Sequence, residues 1–138
     1  MNKSKQYIVL ALLLIISAIA KSSNDARGND NSLVINELMQ SNIDCWMDDL
    51  YEFPDSWVEL YNSGTTNVEL SNFSLGVTDK AEEAWKLPSQ TVAPGHYVVV
   101  CCDNEGSKLH TPFRLESGKG CFVYLFRENA IIDKVLRL

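Results

Sequence analysis

Clusters of basic residues are missing from this 138-residue chain, and so are most of the short patterns that announce chemistry. Twelve Lys and Arg stand against eighteen Asp and Glu, for a formal charge of −6. Lys80, Lys86, Lys108, Arg114 and Arg127 are scattered rather than grouped. A general grip on nucleic-acid phosphates needs the reverse, a concentrated positive face, so nucleic acid is not expected as a partner. No G-x-S-x-G elbow places a nucleophile on a strained turn, and no glycine-rich loop cradles a phosphate. His96 and His110 are the only histidines, and neither stands in a recognisable Ser-His-Asp or Cys-His arrangement. No C-x-x-C spacing occurs, so a structural zinc site is poorly supported by sequence. The 46% hydrophobic and 22% charged content is that of a globular protein, which excludes a disordered tail, a collagen-like fibre and a polytopic membrane protein.

What is present begins at the N-terminus. Lys3 and Lys5 precede an apolar run from Tyr7 to Ile16, which gives way to Ser17-Ala18-Ile19-Ala20. A basic start, a short apolar core and small residues at the exit are the pattern of a removable export signal. The expectation is a signal peptide over 1–20 and secretion to a periplasm, cell surface or extracellular space. The apolar run is shorter than the roughly 20 residues that cross a bilayer, so no membrane span is expected after cleavage. Loss of Lys3 and Lys5 would take the charge from −6 to −8. Four cysteines then remain, Cys45, Cys101, Cys102 and Cys121, and four thiols admit three complete pairings. Cys101 and Cys102 are neighbours in an apolar run, and successive strand residues face opposite sides of a sheet. The two cannot reach the same layer. The alternative is that some or all of the four are small buried hydrophobes.

Residues 21–32 (KSSNDARGNDNS) have no apolar periodicity and read as a flexible polar leader. From 33 to 138 a single domain is expected, because β-rich runs alternate with turn clusters. The runs are Leu33–Met39, Trp57–Asn62, Asn67–Leu70, Phe73–Thr78, Ala84–Leu87, Gln90–Val92, His96–Cys102, Gly120–Arg127 and Ala130–Val135. Such short runs leave little room for helices and predict an all-β protein. Asn62-Ser63-Gly64, Ala93-Pro94-Gly95 and Gly118-Lys119-Gly120 supply turn chemistry, and Glu128-Asn129 fits a two-residue hairpin. Sequential antiparallel pairing is the simplest expectation. In Trp57–Tyr61, Val58 and Leu60 share one face while Trp57, Glu59 and Tyr61 share the other. Val98–Cys102 is apolar on both faces and should sit centrally. A two-sheet sandwich and a barrel both satisfy this pattern.

Seven blocks in order carry a specific resemblance: INELM (35–39), PDSWVELYN (54–62), VELSNFSLGVTD (68–79), WKLP (85–88), APGHYVVVCCDN (93–104), LHTPFRLESGKG (109–120) and the closing hairpin to Asp133. Together they resemble the lamin tail domain family in its exported bacterial form and cover nearly all of residues 33–135. The resemblance implies an immunoglobulin-like antiparallel β-sandwich. It also implies a non-catalytic module of the kind found beside surface enzymes, nucleases or spore-coat-type domains. The nuclear roles of animal members do not transfer to a chain with an export signal and no coiled-coil rod. The chain ends soon after the last family strand, so function is expected from the sandwich itself.

The densest acidic stretch joins the first two strands. Asp44, Asp48, Asp49, Glu52 and Asp55 could supply the hard oxygen ligands of calcium, although the spacing is not that of an EF-hand and no glycine marks its sharp turn; no other cofactor is expected. Trp46, Tyr51 and Phe53 interleave with those charges, as aromatic residues do in binding loops. The competing reading is that the rings plug the open end of the sandwich. The resemblance places a long variable loop here, which makes Trp46, Tyr51 and Phe53 the first candidates for ligand contact.

Elsewhere the bland reading prevails. Glu37 and Glu59 could be drawn as an acid and base pair, but the resemblance makes them structural, tying strand to loop backbone. His110, in the family-like L-H-T segment, reads as a loop-fixing hydrogen-bond partner. Asn36, Asn62 and Asn72 could face sugars, yet Asn62 opens a turn. Trp57, Tyr61 and Trp85 could form a carbohydrate platform, with packed core the preferred reading. No catalytic residue is expected. The reading is an exported binding or assembly module presenting loops to a protein or polysaccharide at the cell envelope. The alternatives are a carbohydrate-binding or accessory unit working with a secreted hydrolase, and a structural envelope protein.

Overall fold

Ten strands and two short 3-10 turns realise that alternation in the computed structural model, which describes residues 32–43, 47–48, 51–116 and 120–137. The signal-like segment 1–20, the leader up to residue 31, and Asp44, Cys45, Trp46, Asp49, Gly118 and Lys119 lie outside the described residues, as does the side chain of Cys121. The strands are β1 (Leu33–Met39), β2 (Trp57–Asn62), β3 (Val68–Glu69), β4 (Phe73–Gly76), β5 (Trp85–Lys86), β6 (Thr91–Val92), β7 (Tyr97–Cys102), β8 (His110–Thr111), β9 (Cys121–Arg127) and β10 (Ala130–Arg137). All fall in one compact unit, Asn31–Leu138.

The protein is an immunoglobulin-like β-sandwich. One sheet runs β1-β2-β7-β8, the other β10-β9-β4-β5, and β3 and β6 form a separate two-stranded ribbon. Val58 and Leu60 of β2 and Val98, Val100 and Cys102 of β7 point inward from the first sheet. Phe73, Leu75, Val123 and Leu125 meet them from the second. Alternation with period two is what lets each sheet give one face to that shared core. Cys102 belongs to the core, whereas Cys101 is buried outside it, as adjacent strand positions require.

Sequential pairing holds for β1–β2, β4–β5 and β9–β10, and is corrected elsewhere. β2 pairs antiparallel with β7, β4 with β9, β3 with β6, and β7 runs parallel to β8. The reason lies in β7: a strand apolar on both faces is best placed inside a sheet, so the chain crosses to the second sheet and returns to set it between β2 and β8. β8 escaped the sequence reading because two residues, His110-Thr111, carry no measurable alternation.

The two sheets are also joined at an edge. The register of β1 slips between Ile35 and Glu37, and that of β10 between Ile131 and Asp133. At the paired bulges the Ile35 amide donates to Asp133 Oδ2 at 2.8 Å. Bulges free a backbone donor from its ladder, and here a carboxylate from the other sheet accepts it.

Candidate functional site

The connection 40–56 starts from a rigid neck. Asn42 is buried; its amide donates to the Asp55 carbonyl at 2.9 Å and its Nδ2 to the Pro54 carbonyl at 3.0 Å. Beside it the buried Ser56 hydroxyl donates to the Cys102 carbonyl at 2.7 Å and accepts from the Leu115 amide at 3.1 Å. Closing the ends of a loop on buried polar groups fixes where it leaves and rejoins the sheet. Asp48 and Glu52 then make a tight turn: the Asp48 amide donates to the Glu52 carbonyl at 2.9 Å and the Glu52 amide to Asp48 Oδ1 at 2.9 Å. Tyr51, inside this turn, has φ +66°, a left-handed conformation that an aromatic residue rarely adopts.

The tip faces solvent. Tyr51 is 83% exposed, Ile43 80% and Phe53 46%, and Met47 is exposed as well. Tyr51 and Phe53 therefore do not plug the end of the sandwich, which corrects that alternative; Trp46 lies outside the described residues. Of the five acidic candidates, Asp44 and Asp49 also lie outside them. Asp55 is turned to Arg114, Oδ2 to Nη1 at 2.7 Å on the surface. Asp48 lines the wall of a cleft.

That cleft, of about 570 Å³, is lined by Asp48, Gln90, Val99, Cys101, Lys108 and His110 among others, a size within the range of small-ligand sites. β7 and β8 position two of its side chains side by side, with Cys101 in register with His110. Their connection doubles back through Asn104 (φ +73°), Gly106 (φ +69°) and Lys108 (φ +49°). His110 Nδ1 lies 2.5 Å from Asp103 Oδ2, with Glu105 Oε2 at 3.7 Å. The expected loop-fixing role of His110 is thus present: its ring ties β8 to the start of the returning loop. Sequence reasoning missed that Asp48, Cys101 and His110 each bring a donor atom within 4.8 Å of the others. No local spacing signals a cluster drawn from residues so far apart in the chain.

A second hub was also missed. Glu69 in β3 accepts from the hydroxyls of Ser71, Ser89 and Thr91 and from the Gln90 amide, at 2.9 to 3.2 Å. The Ser89 hydrogen bond in particular, with those of Ser71 and Thr91, holds its carboxyl below the ordinary value of 4.5 against the opposing effect of desolvation. Since Ser89 and Gln90 line the cleft, this carboxylate braces one of its walls.

The remaining candidates are structural. Glu37 and Glu59 stand opposite each other across β1 and β2. Glu59 accepts from Asn36 Nδ2 at 2.7 Å, so its polar contact runs strand to strand rather than strand to loop backbone. Trp57 is buried and Trp85 packs against the core, while Tyr61 is half-buried and stacks on Tyr97 with ring centroids 4.5 Å apart. Asn62 is fully buried and presents no surface to solvent. Asn72 is exposed, and His96 is exposed with Nδ1 at 3.0 Å from the Pro94 carbonyl. Among the described residues no helix is long and apolar enough to cross a membrane.

A family model described as Lamin Tail Domain matches residues 26–136, most of the chain. No curated protein matches it.

Proposed function

The chain belongs to the lamin tail domain family, and from that premise we propose that it is an exported, non-catalytic module that binds a protein or polysaccharide partner at the cell envelope through the connection 40–56. One observation carries this reading: Ile43, Met47, Tyr51 and Phe53, four large exposed apolar residues, belong to a single connection whose ends are held by hydrogen bonds. Apolar residues scattered singly over a surface need no explanation, whereas several exposed on one connection mark a contact surface. Tyr and Phe supply contact area with few rotatable bonds to freeze. Export rests on the Lys3-Lys5 start, the apolar run and the small-residue exit of the first twenty residues.

The test is co-sedimentation of purified protein with envelope fractions and with insoluble polysaccharides, for the wild type and for Tyr51→Ala and Phe53→Ala. Retention that falls at least about tenfold in the variants, a loss of roughly 1.4 kcal/mol of binding, supports the loop as contact surface. Retention on polysaccharide alone supports the accessory-module reading, which the two exposed rings favour because aromatic faces stack on sugars. Equal retention of all three proteins refutes the loop assignment.

A further inference from the structure

Asp48, Cys101 and His110 offer an oxygen, a sulfur and a nitrogen within 4.8 Å of one another at the cleft. From this juxtaposition we propose a mononuclear site for a divalent transition ion of the zinc class, ligated by the Asp48 carboxylate, the Cys101 thiolate and the His110 imidazole. The assignment does not depend on what the 40–56 loop binds. Mixed sulfur, nitrogen and oxygen donors are what borderline ions such as Zn²⁺ select, while calcium takes six to eight oxygens. Donors around a tetrahedral ion, at about 2.0–2.3 Å from the metal, stand roughly 3.4–3.7 Å from one another. The three groups therefore need to close by at most about an ångström to reach that spacing.

The surroundings support ligation. Asp103 Oδ2 at 2.5 Å from His110 Nδ1 is the carboxylate–histidine pair that fixes the tautomer and leaves Nε2 for the metal. Asp103, Glu105 and His110 also lie within 4.8 Å, but the 2.5 Å contact is too close for two donors sharing one ion, so Asp103 orients the ligand rather than acting as one. The Glu52 amide holds Asp48 Oδ1 at 2.9 Å. Cys101 is 3% exposed, and the side chains of His110 and Asp103 are 13% and 12% exposed, which limits competition from water. A thiolate and a carboxylate balance a divalent charge. Three protein ligands leave a fourth position open toward the cleft, as at zinc sites that also hold an exogenous ligand.

The test uses the full chain, stripped with a chelator and kept under reductant. It is titrated by calorimetry with Zn²⁺ and separately with Ca²⁺, and loaded with Co²⁺ for absorption spectroscopy. The expected results are one equivalent of Zn²⁺, no heat with Ca²⁺, and a thiolate-to-cobalt charge-transfer band that disappears in Cys101→Ser. His110→Gln should weaken zinc binding by more than the ~10–100-fold expected of Asp103→Asn. Asp48→Asn keeps an oxygen for the Glu52 amide, so it tests ligation in a chain that folds even where the buried substitutions do not. The proposal is overturned by absence of zinc binding, by zinc binding unchanged in Asp48→Asn, by a cobalt spectrum without the thiolate band, or by recovery of Cys101 in a disulfide from the native protein.

Discussion

At one end of β2, Asn62 commits every polar atom of its side chain to backbone: Nδ2 donates to the Thr66 and Val92 carbonyls at 2.8 and 2.9 Å, and Oδ1 accepts from the Gly64 amide at 3.0 Å. Its own backbone holds His96 and Gly95 at 3.0 and 2.9 Å. About 16 Å away along the same strand, Trp57 leads back into a connection whose tip leaves Tyr51 in solvent. Among the described residues, positive φ gathers at this second end, at Tyr51, Asn104, Gly106 and Lys108; Gly95 and Glu128 are the others. A fully satisfied buried network specifies a single local structure, whereas backbone strain persists only where the surroundings impose it and is common at functional sites. The first end holds the fold closed, and the second is shaped for contact.

The sharpest way to break this contrast is Asn62→Ala. It strands the buried Val92 carbonyl together with the part-buried Thr66 carbonyl and Gly64 amide, and the expected loss is about 3 kcal/mol on the scale of 1–3 kcal/mol for each orphaned buried group. Urea denaturation measures it directly. Ser56→Ala, at the neck of the open end, should cost about 1–3 kcal/mol by the same reasoning. If Ser56→Ala proved the more damaging, the division of labour between the ends would be reversed.

Gly64→Ala probes the closed end sterically. A Cβ built at Gly64 would lie 2.5 Å from Ser32 Cβ, and Ser32 cannot easily retreat because both the amide and the hydroxyl of Ser63 donate to its carbonyl at 2.8 Å. Overpacking of this kind costs about 1–3 kcal/mol. The effect should appear as a lower urea midpoint with an unchanged slope.

Acid should act selectively on the β3–β6 ribbon. Asn62 does not titrate, but Glu69, which braces the cleft wall, does, and its carboxyl is held below 4.5 in the folded protein chiefly by the Ser89 hydroxyl. A depressed folded value contributes stability that is complete above the unfolded value and is lost as pH falls through the lowered one. The difference in Tm between the wild type and Glu69→Gln should therefore be constant above about pH 5 and shrink at lower pH. A difference independent of pH down to acid unfolding would exclude Glu69 as the titrating group. Glu83, lowered by its hydrogen bonds from Lys80 and Thr78, titrates in the same direction on the surface, so the two are substituted separately.

Legibility followed the range over which each interaction acts. Period-two alternation is local, and the long strands β1, β2, β7, β9 and β10 could be read within a few residues of their ends. Pairing is not local: that β7 would lie beside β2 depends on where a doubly apolar strand can be buried, a property of the whole sandwich. The 40–56 connection could be identified from its aromatic and acidic content, yet which rings face solvent depends on the Asn42 and Ser56 neck. A missing C-x-x-C speaks only to donors close together in the chain. Asp48, Cys101 and His110 converge only through the parallel β7–β8 pair and a turn about fifty residues upstream.

The smallest expected effect is the most informative about the open end. Tyr51 sits at φ +66° with its ring almost wholly in water, so Tyr51→Gly removes little packing and relieves a left-handed conformation that costs an L-residue about 1–2 kcal/mol. Against this, glycine loses about 0.5–1 kcal/mol more backbone entropy on folding. The balance is a gain of about 0.5 kcal/mol in urea stability. Tyr51→Ala keeps the strained conformation and should be close to neutral. Both should weaken retention on the envelope or polysaccharide partner, because both lack the ring. Stability that rises while retention falls would mean that the strain is kept for the presentation of the side chain. If Tyr51→Gly instead lowered stability by more than about 1 kcal/mol, the ring would be holding the loop in place, and the open end would be a second closed one.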